Sequence, residues 1–164
     1  MKRKIYQQLL DWKEKRNGEV ALLVEGARRI GKSYIVEEFG KNEYESYILI
    51  DFNRAPQIVR DWFDLYLEDL DMLFLYLSQH YKVRLHERKS LIILDEVQLC
   101  PRARAAIKFL VKDGRYDYIE TGSLVSIKKN TQGIVLPSEE RPIQMYPMDF
   151  EEFLWATGND MLMD

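Results

Sequence analysis

Eight consecutive residues, Gly26-Ala27-Arg28-Arg29-Ile30-Gly31-Lys32-Ser33, have the types and spacing needed to hold a chain of phosphates. They match G-x-x-x-x-G-K-[ST] in full, between an apolar run and a helical pattern. The glycines permit backbone dihedrals and close approaches that a side chain blocks. Successive N–H groups and the positive end of the following helix then face the anion. Lys32 would reach the β- and γ-phosphates, and Ser33 would offer a hydroxyl to Mg²⁺. The nucleotide-contacting set expected is Gly26, Ala27, Arg28, Arg29, Ile30, Gly31, Lys32, Ser33 and Tyr34. At ordinary residue usage, one chance match of this pattern is expected in roughly 150 chains of this length. For Arg28 and Arg29 two readings stand, phosphate contact or a side chain turned to solvent.

A second group follows Leu91-Ile92-Ile93-Leu94, where the apolar run ends in Asp95-Glu96. Asp95 would hold Mg²⁺ through its water shell, and Glu96 would orient and deprotonate an attacking water. Thr121-Gly122-Ser123 closes another apolar run; Thr121 or Ser123 could sense a γ-phosphate there, or the segment is an ordinary strand exit. Asp51 fits a capping or helix-packing role better than a catalytic one. Arg102, Arg104, Arg115 and Arg141 are available as an arginine finger acting on a neighbouring subunit. His80 and His86 belong to no Cys/His cluster with zinc spacing. The guanine-reading Asn-Lys-x-Asp is absent from the sequence, which favours ATP.

These groups must be positioned by elements the periodicity makes visible. Ile5, Leu9 and Trp12 recur at helical spacing and Asn17-Gly18 stops the pattern, predicting a helix over 4–16. Val20 to Val24 is a short β-branched run of the kind buried on both faces of a parallel sheet. A helix follows from Lys32 to Phe39, with Gly40 as its C-terminal cap. Strands are expected over 46–51, 91–94, 116–121 and 141–146. Residues 56–80 read as one or two amphipathic helices whose aromatics Trp62, Phe63, Tyr66 and Phe74 form core. Residues 102–113 read as a helix burying Ala105, Ala106, Phe109 and Leu110, and Asp149 N-caps a last helix. Strands alternating with helices predict a three-layer α/β P-loop fold with a mostly parallel, roughly five-stranded sheet.

The 164 residues suit a single domain: an N-terminal helix (1–18), a nucleotide-binding core (19–146) and the start of a helical extension (147–164). Net charge is -3, which gives no reason to expect nucleic-acid or membrane affinity. Residues 1–18 are basic and residues 138–164 acidic, and both read as solvated faces. The single cysteine, Cys100, and the lack of a long apolar run predict a cytoplasmic protein.

Together the motifs resemble those of prokaryotic AAA-superfamily ATPases that carry a C-terminal DUF4143 domain, the AAA_14 group. The similar segments are Val24 to Ser33, Ile92 to Gln98, Ile119 to Ser123, and Tyr146 to Leu154, which looks like that family's Pro-Leu-Ser-Phe-x-Glu-Phe segment. The resemblance implies ATP and Mg²⁺ as ligands, with Gly26, Gly31, Lys32 and Ser33 binding them and Asp95 and Glu96 serving metal and water. It also implies a homo-oligomer or a C-terminal effector domain as partner. Two departures are Glu140-Arg141, where the family often has Gly-Arg, and a length well short of the several hundred residues usual for the group. A nucleotide-gated binding module with little hydrolysis remains the alternative function.

Overall fold

The computed structural model describes residues 3–27, 30–123, 139–147 and 150–157. Arg28, Arg29 and the expected cap Asp149 lie outside them. The elements run α1 (Lys4–Arg16), β1 (Ala21–Glu25), α2 (Lys32–Glu43), β2 (Ser46–Asp51), α3 (Gln57–Leu65), α4 (Leu70–Tyr81) and β3 (Ser90–Asp95). A 3₁₀ turn (Val97–Leu99) leads to α5 (Pro101–Asp113), β4 (Asp117–Gly122), β5 (Glu140–Gln144) and α6 (Phe150–Thr157).

The five strands form one sheet of order β2-β3-β4-β1-β5, with every pairing parallel. The chain leaves β1 for the far edge, works back through β3 and β4, and then crosses to β1's other side. All carboxyl ends therefore share one edge, and the crevice beyond β1 is where an open α/β sheet binds its ligand.

Side-chain alternation divides the core into two layers. Leu22, Val24, Leu91, Ile93 and Ile119 pack under α1 and α2 with Ile5, Leu9, Trp12, Ile35, Val36 and Phe39. Leu23, Ile48, Ile50, Ile92, Leu94 and Tyr118 pack on the opposite face under α3, α4 and α5. The three-layer α/β architecture expected from the sequence is the one observed.

Four local expectations are corrected. α2 continues to Glu43, so Gly40 is interior and caps nothing. A Cβ there would stand 3.1 Å from the Tyr47 ring, so Gly40 lets α2 lie close on β2. On α5 the buried positions are Ala103, Arg104, Ala106, Ile107, Leu110 and Val111, and Phe109 is 45% exposed. Ala105 is only half-buried. The charged ends are not wholly solvated: Arg3, Glu140 and Glu152 are buried and paired.

Candidate phosphate-binding site

The loop between β1 and α2 is shaped by its two glycines for different reasons. Gly31 sits at φ 92, left-handed backbone that only glycine adopts without strain, and from there α2 begins at Lys32. A Cβ on Gly26 would lie 2.5 Å from the Met145 carbonyl oxygen, so the close approach at Gly26 is to the chain leaving β5. Met145 N donates to Glu25 O at 2.7 Å, which fixes that chain against the start of the loop.

Lys32 is buried at the first turn of α2. Its Nζ donates to the carbonyl oxygens of Gly26 at 3.1 Å and Ala27 at 2.7 Å. The ammonium is thus held within the loop's own curve. Tyr34, by contrast, is 57% exposed on the outer side of α2.

Beside the loop, three sequence-expected residues come together. Ser33 Oγ donates to Asp95 Oδ1 at 2.7 Å, and Thr121 Oγ1 donates to the same oxygen at 2.6 Å. Thr121 Oγ1 in turn accepts the backbone N–H of Glu96 at 3.0 Å. β4 lies between β1 and β3, so a hydroxyl at its end can bridge the loop side to the acid side. Burial raises the Asp95 carboxyl above its ordinary value, while the bonds from Thr121 and Ser33 pull it down. Ser123 is buried just beyond β4.

Glu96 adopts φ 56 and ψ 54, a left-handed conformation that costs a non-glycine residue about 1–2 kcal/mol. The conformation turns the chain off β3 into the 3₁₀ turn, with Leu99 N donating to Glu96 O at 3.0 Å. Gln98 Nε2 donates to Glu96 Oε2 at 2.5 Å, so a buried amide holds the carboxylate. Gln98 was visible in the sequence only as the end of a motif, because nothing in residue spacing reveals a contact two positions on.

The remaining candidates take no part in these hydrogen bonds. Asp51 sits beside Asp95 in the β2–β3 register and accepts from Asn53 N at 2.9 Å in the turn after β2, while the N-cap of α3 is Pro56, so Asp51 does not cap that helix. Arg104 is buried and forked onto Glu140, with Nη2–Oε1 at 2.6 Å and Nε–Oε2 at 3.0 Å, so it is committed within its own chain. Arg115 pairs with Asp113 and Asp71, and Arg102 with Asp64. Arg141 is exposed on β5. His80 packs edge-on against Trp62, and His86 lies 3.6 Å from Glu45, both away from the loop.

Behind the site, Glu120 on β4 points to the α5 face and is fully buried near Arg104 and Glu140. Burial raises its carboxyl well above the ordinary carboxylate value, helped by the charge of Glu140 and a hydrogen bond with it and opposed by the charge of Arg104.

The residues present suit magnesium and a triphosphate. Ser33 and Asp95 are hard oxygen donors within hydrogen-bonding distance of one another, beside a helix N-terminus and a buried lysine. No helix among the described residues is long and apolar enough to cross a membrane.

The chain is 28% identical over 141 residues to an uncharacterized protein of Methanocaldococcus jannaschii, a match covering 84% of this chain and 28% of that protein. A superposition on the structure of C. elegans PCH-2 covers 98% of this chain and 44% of that one, at 12% identity and a TM-score of 0.42. The chain therefore spans less than half the length of either protein. A family model described as "AAA domain", AAA_14, matches residues 19–154. That span runs from just before β1 into α6 and takes in the loop and the Asp95 end of β3, so the chain is a nucleotide-binding P-loop domain belonging to the AAA_14 family.

Proposed function

We propose that this chain binds ATP with Mg²⁺ and hydrolyses it, coupling the reaction to a conformational change in an effector domain or neighbouring subunit. The observation that carries the reading is the bond of Ser33 and Thr121 to one oxygen of Asp95, with Thr121 also holding the backbone of Glu96. In this reading Gly26, Ala27, Arg28, Arg29, Ile30, Gly31 and Tyr34 border the nucleotide, and Lys32 neutralises phosphate charge. Ser33 and Asp95 hold Mg²⁺, directly or through retained waters, and the ion supplies charge neutralisation on the phosphate oxygens. Glu96 accepts a proton from the attacking water as its oxygen bonds to the γ-phosphorus and the bond to the ADP oxygen breaks. Thr121 and Ser123 face the γ-phosphate side, and the reaction takes place in the cytoplasm.

A second reading, a nucleotide-gated binding module with negligible hydrolysis, is favoured by one contact. Gln98 donates to a carboxylate oxygen of Glu96, and a hydrogen bond to the charged form makes that carboxylate a weaker base toward water. Phosphate release measured for the parent, Lys32→Ala and Glu96→Gln, with ATP affinity measured in parallel, separates the two. Hydrolysis predicts turnover in the parent alone and retained ATP binding in Glu96→Gln. Equal phosphate release from all three, with tight binding by the parent, establishes the module instead.

A further inference from the structure

The basic and acidic ends of the chain meet at the phosphate loop through one guanidinium. Arg3 stands just ahead of α1, and its side chain is only 4% exposed. Its donors go to three segments far apart in sequence. Nη1 donates to Ile30 O in the loop at 3.1 Å, and Nη2 to Tyr146 O beyond β5 at 2.9 Å. Nε donates to Glu152 Oε2 on α6 at 3.0 Å, and the backbone N–H of Lys4 donates to the same oxygen at 2.7 Å. The Glu152 side chain is 7% exposed, so the pair is shielded from solvent.

The contact with Ile30 bears on phosphate binding through peptide geometry. The carbonyl of Ile30 and the N–H of Gly31 belong to one planar unit, so fixing the oxygen fixes the direction of the N–H. Gly31 is the left-handed residue from which α2 starts, and a Cβ placed there would lie 3.5 Å from Arg3 Nη1. Arg3 therefore braces the turn that aims the loop's amides. Glu152 braces Arg3, because a buried guanidinium that loses its carboxylate must move or recruit water.

We propose that Arg3 is a positioning residue for the phosphate loop, and that through the Arg3–Glu152 pair the docking of α6 sets how tightly the loop binds a nucleoside triphosphate. The proposal rests on the phosphate-binding reading of the loop. It gives the helix that follows β5 a direct mechanical connection to nucleotide affinity. By linkage, nucleotide must stabilise α6 docking by the factor with which docking strengthens nucleotide binding.

The test uses the 164-residue chain with Mg²⁺ and a fluorescent ATP analogue. Arg3→Gln and Glu152→Gln are each expected to weaken binding about tenfold. The double variant is expected to bind no more weakly than the weaker single, because both changes break the same connection. Arg3→Lys keeps the charge but cannot serve three acceptors in a fixed fork, so it is expected not to restore affinity. ATP is expected to slow amide hydrogen exchange in residues 150–157 of the parent and not of Arg3→Gln. Singles that bind within twofold of the parent, whatever their thermal stability, overturn the proposal, as do losses that add in the double. If Arg3→Gln fails to fold, Glu152→Gln decides by the same affinity criterion. A parent that binds no better than Lys32→Ala overturns the phosphate-loop reading together with this inference. Normal parent binding with unaffected Arg3 and Glu152 variants overturns this inference alone.

Discussion

Ser33 and Asp95 are 62 positions apart in the chain, yet the hydroxyl of one donates to the carboxylate of the other at 2.7 Å. The contact joins the first turn of α2 to the end of β3 across a sheet in which β4 separates β3 from β1. It brings two hard oxygen donors together, and Thr121 donates to the same carboxylate oxygen. In the proposed reading this oxygen pair exchanges its hydrogen bond for Mg²⁺.

Asp95→Asn keeps the shape of this pair but removes its charge. Mg²⁺ is expected to tighten ATP binding by the parent and to have little effect on the variant, while affinities in chelator are similar. Titration of a fluorescent nucleotide with Mg²⁺ and with EDTA measures both. The same Mg²⁺ enhancement in parent and variant would remove Asp95 from the metal site.

Thr121→Val preserves volume and deletes the one oxygen that serves both acids. The Glu96 N–H then loses its partner in a part-buried setting, which costs about 1–3 kcal/mol of folding stability. Displacement of Glu96 is expected to slow turnover by about 100-fold, because small misplacements of a reacting group are costly. Thr121→Ser, which restores the hydroxyl, should recover most of the loss. Denaturant unfolding and steady-state phosphate release measure the two effects; a Val variant with parental turnover would leave Thr121 with a packing role only.

Much of this site was legible because its signals are local. A glycine pair at fixed spacing, a lysine and serine opening a helix, and two acids ending an apolar run are each written in consecutive residues. Their convergence follows from parallel strands sharing one edge, so the Ser33–Asp95–Thr121 group was foreseeable before any distance was known. What escaped is long-range and polar. Arg3 and Glu152 are 149 positions apart, and Arg104 and Glu140 are 36 apart, so no periodicity connects either pair. Charged residues near the ends of a chain read as solvated because most are. Only the folded arrangement supplies partners that make burial tolerable. Gly40 escaped for a related reason: a glycine that admits a neighbouring tyrosine and one that caps a helix look alike in sequence.

Gly26→Ala tests the close approach at the start of the loop. The new Cβ would lie 2.5 Å from the Met145 carbonyl, a backbone atom tied to Glu25 by its own residue's N–H. Relief requires the loop or the β5 exit to shift, with an expected cost of about 1–3 kcal/mol. Nucleotide binding is expected to weaken in parallel, since the shift displaces the carbonyls that hold Lys32. Urea denaturation and nucleotide titration check both; an alanine variant as stable as the parent would show that Met145 yields freely.

Glu120→Gln addresses the acid buried behind the site. In the folded chain its carboxyl holds a proton well above the ordinary value of 4.5, because burial and the neighbouring Glu140 charge penalise ionisation. Unfolding exposes it, and the proton is then released at the ordinary value. Between the two values the native state binds more protons than the unfolded state, so this group's contribution makes stability fall as pH rises. Glutamine has nearly the same shape and nothing to titrate, and it leaves the Arg104–Glu140 fork in place. The variant is therefore expected to gain on the parent as pH rises above the ordinary carboxylate value of 4.5. Thermal unfolding as a function of pH above that value measures the difference. A gap between parent and variant that stays constant with pH would mean that Glu120 is already ionised in the folded protein, with its charge answered by Arg104.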